Sequence, residues 1–206
     1  MTQTPIDLKL FSEVKLVLSM ASNATLAARK TSDRPMLGSF SYFGLGGLLP
    51  KNPYDQVYPG IWLGEASMAL KPNVLKLMGI THVVNVCMGR MFSQTNTSSE
   101  FYKVHDIEFF GIPAMDIPNF NLLSYLRPAA DFIDEALGKK GKVYVHCQQG
   151  VSRSATVVIA FLMLKRNMDL LTAVQLVRQK REIYPNDGFV RQLCELSKEI
   201  GFPRGF

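Results

Sequence analysis

Cysteine, histidine and tryptophan are scarce in this chain: its 206 residues contain three, three and one of them. The cysteines, Cys87, Cys147 and Cys194, are odd in number and never spaced as Cys-x-x-Cys. That argues against a disulfide-stapled scaffold or a zinc site and points to a reducing compartment, cytoplasmic and/or nuclear. Long apolar runs are missing too. The longest, Val157 to Leu164, is about half of the roughly 20 residues that cross a bilayer and reads as a buried helix. The N-terminus carries Asp7 and Glu13 rather than a basic cluster, which fits neither a signal peptide nor a transit peptide. No block of like charge stands out. The net charge of +6 divides evenly, +3 over residues 1–52 and +3 over the rest, too diffuse for nucleic acid to be the main partner. Neither nucleic acid nor a membrane is expected to bind, and oligomeric state is left open.

What is present is an ordinary core composition. Apolar residues make up 47% of the chain, enough for one domain of about 150 residues with an appendage. Residues Ile6 to Ala21 place Leu10, Val14, Val17 or Leu18, and Ala21 at helical spacing, which predicts an amphipathic helix expected to lie across the functional face. From Ser22 to Lys51 the chain turns rich in Ser, Thr and Gly and reads as a linker, whose Phe40, Tyr42 and Phe43 either pack on the domain or stay in the linker. Residues 1–52 are thus a helix and flexible linker, and 53–202 a single domain. In that domain strand-like runs at 60–63, 82–86, 108–112 and 143–145 alternate with helical patterns around Leu122–Leu137, Leu170–Val177 and Phe189–Ile200. The expected fold is α/β, a central mixed sheet of about five strands flanked by helices.

One stretch carries chemistry. Val143-Tyr144-Val145-His146-Cys147-Gln148-Gln149-Gly150-Val151-Ser152-Arg153-Ser154 reads as a buried strand, a short loop and the start of a buried helix. In that geometry loop N–H groups converge at the positive end of a helix and form an anion site. Gly150 lets the backbone turn tightly around the anion, and Arg153 grips two oxygens in fork geometry. Cys147 then lies under the bound centre. An unperturbed thiol with a pKa of about 8.5 is only about 3% ionised at pH 7. Lowering it by roughly three units needs about 4 kcal/mol of preferential stabilisation, of which a helix terminus supplies at most about 2. The loop amides, Arg153 and Ser154 must supply the rest. His146 reads as a hydrogen-bonding residue behind the loop rather than a base.

The run His146-Cys147-x-x-Gly150-x-Ser152-Arg153-Ser154 resembles the signature of cysteine-dependent protein phosphatases, its Ser-Arg-Ser ending that of the dual-specificity branch. Gly79–Asn85, Ala129–Asp134 and Arg181–Phe189 are similar in order and spacing to the vaccinia-H1-related type, so about residues 53 to 200 match the atypical, single-domain group. The resemblance implies hydrolysis of phosphotyrosine and phosphoserine or phosphothreonine through a phosphocysteine, with no metal or cofactor. It assigns Cys147 as nucleophile, Arg153 as phosphate clamp, Ser154 as an aid to thiolate departure, and Asp116, 31 residues before Cys147, as general acid and base. Substrate contacts fall to His146, Gln148, Gln149, Gly150, Val151, Ser152 and Arg153, and Arg181 matches a residue that contacts a second phosphate. Gln148, Gln149 and Val151 are neutral where lipid-directed relatives have lysines, which favours protein over phosphoinositide; Gln149 also stands where the vaccinia-H1-related pattern has an acid. The partners implied are phosphorylated proteins, with protein kinases as candidates. Cys87, placed where related lipid phosphatases keep a cysteine, is a redox candidate that pairs with oxidised Cys147. Cys194 reads as core. The rival from another class is a pseudophosphatase, a binding module for phosphorylated proteins; a sulfurtransferase or arsenate reductase with a similar loop is a third reading.

Overall fold

The computed structural model describes residues 7–20 and 49–201. Five short strands make one sheet in the order β1-β2-β5-β3-β4. They are β1 (Tyr54–Tyr58), β2 (Ile61–Glu65), β3 (His82–Asn85), β4 (Glu108–Gly111) and β5 (Val143–Cys147). β1 runs antiparallel to β2 and the other pairings are parallel, so the sheet is mixed, as the sequence predicts. β1 is the strand that the apolar pattern does not reveal. Its Tyr-Asp-Gln-Val-Tyr buries only Val57 fully, because an edge strand is held mainly by its ladder to β2.

β5 is the middle strand, and its alternation governs the site. Val143, Val145 and Cys147 face the main core, whereas Tyr144 faces a second, smaller cluster with Val83, Tyr102 and Leu75. Successive side chains of a strand point to opposite faces, so Cys147 and its neighbour His146 cannot share one. The smaller face is covered by short helices, α2 (Ala66–Ala69), α3 (Pro72–Leu77) and α4 (Ser99–Lys103). The larger face carries α5 (Leu123–Gly138), α6 (Arg153–Arg166), α7 (Leu170–Lys180) and α8 (Asp187–Ile200). In α6 every residue from Arg153 to Met163 is buried, the mark of a helix surrounded by protein. Fully burying each Val, Leu, Ile or Phe there contributes about 1.5–3 kcal/mol before entropy is counted.

The N-terminal helix, α1 (Leu8–Ser19), does not belong to a separate appendage. Val14 and Leu18 lie in the main core, against the division at residue 52, because the helix buries its apolar stripe on α7 and α8. Arg178 donates to the Met20 carbonyl and to that of Ile183, tying the end of α1 to the turn before α8. The helix therefore rests on α7 and α8 beside the site, not across its face. The predicted linker, with Phe40, Tyr42 and Phe43, falls almost wholly outside the described residues.

α8 also holds the segment between β4 and α5. Gln192 Oε1 accepts from Leu122 N and Leu123 N, each at 2.8 Å, and its Nε2 donates to Phe120 O at 2.8 Å. One side chain thus supplies partners for N–H groups that α5 leaves open at its start. At Gly188 the segment comes closer still: a Cβ there would lie 1.9 Å from Pro118 O. Gly188→Ala is expected to lower stability by about 1–3 kcal/mol through overpacking against backbone. Urea unfolding should show a lower midpoint with an unchanged slope.

Candidate active site

The loop after Cys147 leaves the carboxyl end of β5 and enters α6, the edge at which open parallel sheets bind ligands. Five consecutive carbonyls of this loop are engaged from behind. Gln148 O accepts from Ala66 N at 3.2 Å, and Gln149 O and Gly150 O accept from the Arg181 guanidinium at 3.0 and 2.9 Å. Val151 O accepts from Tyr184 N at 2.9 Å, and Ser152 O from Thr156 N at 3.0 Å. Among the described residues all peptide bonds are trans, so each N–H points opposite to the carbonyl before it. The N–H groups of residues 149–153 therefore face the other way, into the concavity above Cys147, as an anion nest requires. Gly150 sits at φ +66°, and a Cβ there would meet Gly64 O at 2.5 Å, so the turn depends on glycine.

This geometry corrects the expectation for Arg181. It is 1% exposed, and its guanidinium also donates to Asn52 O at 2.9 Å and pairs with Asp55 at 2.8 Å. Every edge of the fork meets a protein acceptor, so Arg181 shapes the loop from behind and does not present a charge to a second phosphate. His146 needs the same correction. It is wholly buried on the face opposite Cys147, with Nδ1 3.4 Å from the Cys147 carbonyl, and supports the loop rather than touching substrate. Burial, with a smaller contribution from Arg153, pushes its pKa down to about 4, so the ring is neutral.

Cys147 is 1% exposed, and Ser154 Oγ donates to its Sγ at 3.2 Å. Burial alone would push the thiol up. The charge of Arg153 and hydrogen bonds from the Ser154 hydroxyl and backbone outweigh it, although Asp116 opposes them, and the net direction is down. Arg153 is anchored by Nη1, which donates to Ser93 O at 3.0 Å and Ala114 O at 3.1 Å. Its Nε is buried with no hydrogen-bond partner among the described residues, 3.5 Å from Asp116 Oδ2. A buried donor of this kind fits an anion's oxygen.

Asp116 stands at the rim, where Oδ1 accepts from Ser152 Oγ at 2.7 Å and from Asn186 Nδ2 at 2.9 Å. Its other oxygen, Oδ2, is turned toward Arg153, 3.5 Å from Nε. Cys147, Arg153, Ser154, Ser152 and Asp116 thus converge, while Gln148 and Gln149 are exposed at the rim and Val151 is half-buried. Cys87 is fully buried in the core cluster that holds Cys147; burial first, then the Cys147 charge, push its thiol up to about 12. Cys194 is buried in that core as well.

Two contributors escape a reading of motifs. Asn186 reads as a helix cap, which it is, accepting from Phe189 N, while its amide reaches Asp116. Asn85 reads as an interruption of an apolar strand. Its buried amide donates to Thr95 O and Thr97 Oγ1, both at 2.9 Å, and shapes the loop whose Ser93 carbonyl anchors Arg153. Asn186 had a signal in its position just before a predicted helix, opposite a loop acid; Asn85 had none.

Comparison with known proteins places the site in a family. The family "Dual specificity phosphatase, catalytic domain" matches residues 61–199. Human dual specificity protein phosphatase 13B is 45% identical over 155 residues, 75% of this chain and 77% of that protein. The crystal structure of human DUSP28 has a TM-score of 0.62 at 29% identity, covering 74% of this chain and 98% of that one. A mouse putative dual specificity phosphatase, crystallised in complex with zinc tungstate, has a TM-score of 0.62 at 28% identity, covering 80% of this chain and 94% of its own.

Arg181→Lys keeps the charge but cannot reach both carbonyls at once. It is expected to cost about 2 kcal/mol of stability through lost charge-assisted hydrogen bonds. Turnover of singly and doubly phosphorylated peptides should fall together, their ratio unchanged, as a kinetic comparison of the two would show.

Proposed function

The chain belongs to the dual-specificity phosphatases, and we propose that Cys147, Arg153, Asp116 and Ser154 carry out its cysteine-dependent hydrolysis of phosphoproteins. One observation carries this assignment. The guanidinium that lowers the Cys147 thiol lies 3.5 Å from the Asp116 carboxylate, so nucleophile and acid address a single anion site. The Cys147 thiolate attacks phosphorus, and the S–P bond forms as the bond to the side-chain oxygen breaks. Asp116 gives that oxygen its proton, without which an alkoxide would have to depart. Water then attacks the phosphocysteine, Asp116 takes its proton, and the S–P bond breaks to return the thiolate. Ser154, already donating to Sγ, stabilises the departing sulfur. The inward N–H groups and Arg153 hold the equatorial oxygens throughout.

The neutral rim of Gln148, Gln149 and Val151 supports a phosphorylated side chain on protein rather than a multiply charged inositol headgroup. Nothing in the site favours a pure binding module, since the thiol is present and lowered. Cys147→Ser is expected to abolish phosphate release from aryl phosphates and phosphopeptides; equal release by both proteins overturns the assignment. Asp116→Asn should lower turnover of phosphoserine peptides by about 10²–10⁴-fold, measured as phosphate release at saturation.

For Cys87 we propose a protective role. Peroxide converts the Cys147 thiolate to a sulfenic acid, and the Cys87 thiol displaces water from it to close a disulfide. Because burial keeps Cys87 protonated, this closure is slow. Mass spectrometry after mild peroxide treatment should show a Cys87–Cys147 linked peptide; sulfinic Cys147 with no linked peptide overturns it.

A further inference from the structure

We infer that the N-terminal helix sets the general acid, and that Lys15 is a positioning residue for Asp116. The inference rests on the reading of Asp116 as the acid. Lys15 lies on α1, outside the residues 61–199 shared with the family, and joins two positions that bracket Asn186. Its Nζ donates to Tyr184 Oη at 2.9 Å and pairs with Asp187 Oδ1 at 2.7 Å. Between them, Asn186 donates from Nδ2 to Asp116 Oδ1 at 2.9 Å. A path of direct contacts therefore runs from α1 through the turn to the acid.

The turn is also held by Ile183, which lies in the main core, and by Glu182, which pairs with Arg178 at 3.0 Å. Tyr184 N reaches Val151 O at 2.9 Å and Asn186 N reaches Ser152 Oγ at 3.2 Å, so its inner edge rests on the nucleophile's loop. Its outer edge is held by α1, through Lys15 at residues 184 and 187 and through Arg178, which joins Met20 O to Ile183 O. α1 is itself anchored by Val14 and Leu18 in the core, and Phe11 lies under the Arg191 guanidinium of α8, 5.5 Å from ring centroid to carbon. Lys15 is three-quarters covered, and although burial lowers its pKa, the bonds to Asp187 and Tyr184 outweigh this and raise it. The ammonium is thus a charged pin between a rigid helix and the turn that orients the acid. Small displacements of a catalytic group are costly, about a hundredfold for 1 Å in well-oriented sites.

An acid that is present but misaimed hurts poor leaving groups most, because good ones depart without a proton. The test is kcat/KM of the full chain on an activated nitrophenyl phosphate and on unactivated phenyl phosphate. Lys15→Met is expected to lose about tenfold more on phenyl phosphate than on the nitrophenyl ester, and Lys15→Arg to recover most of that difference. Asp116→Asn should show a larger difference, and Lys15→Met added to Asp116→Asn should add none. Equal losses on both esters for Lys15→Met, or full additivity in the double variant, overturn the proposal. If Asp116→Asn itself loses equally on both esters, the acid assignment falls and this inference with it; a steep Asp116→Asn beside a flat Lys15→Met removes only the inference.

Discussion

A peptide group cannot aim its carbonyl and the N–H that follows it at the same point, and the site depends on how the loop after Cys147 resolves that constraint. If the carbonyls of Gln148 to Ser152 faced the concavity, five oxygen dipoles would repel both thiolate and phosphate. They are drawn outward instead, by Ala66, by Arg181 and Tyr184 of the turn before α8, and by Thr156 in the first turn of α6. Arg181 contributes most, since one buried fork holds two of the five and is itself neutralised by Asp55. Anion affinity, thiol ionisation and the orientation of bound oxygens all follow from the resulting field. The arginine that touches the phosphate site thus depends on another that never meets it.

Asp116 is held by a different device. Its loop is fastened along α8 by Gln192 and by the close approach at Gly188, and the carboxylate is fixed by Ser152 and Asn186. Asp116 and the loop after Cys147 therefore share a frame through Ser152, which belongs to one loop and bonds the other. Such an arrangement is organised before substrate arrives, which lowers the ordering cost of binding and matches the preorganisation that electrostatic catalysis needs.

Much of this was legible in the sequence because it is local. A β-branched strand, a glycine turn and an apolar helix beginning in Arg153 specify one another over a dozen residues, and Asp116 declares itself by spacing once the loop is identified. Contacts between distant segments were not legible. Arg181 reads as a contact to a second phosphate until Asn52, Asp55 and the loop carbonyls are seen around it. α1 reads as an appendage because the low-complexity stretch after it resembles a domain boundary, whereas the helix buries its stripe on α7 and α8. β1 is missed because an edge strand with one buried residue carries almost no periodicity.

The alternation of β5 has a consequence for any population of these molecules. Cys147 and His146 point to opposite faces, so slippage of the strand by one residue would exchange them and turn the thiol toward the smaller cluster of Leu75, Val83 and Tyr102. No intermediate register exists in which the enzyme is half competent. Because the pleat has a period of two, a chain that paired this strand out of register would lose the whole arrangement at once rather than in part.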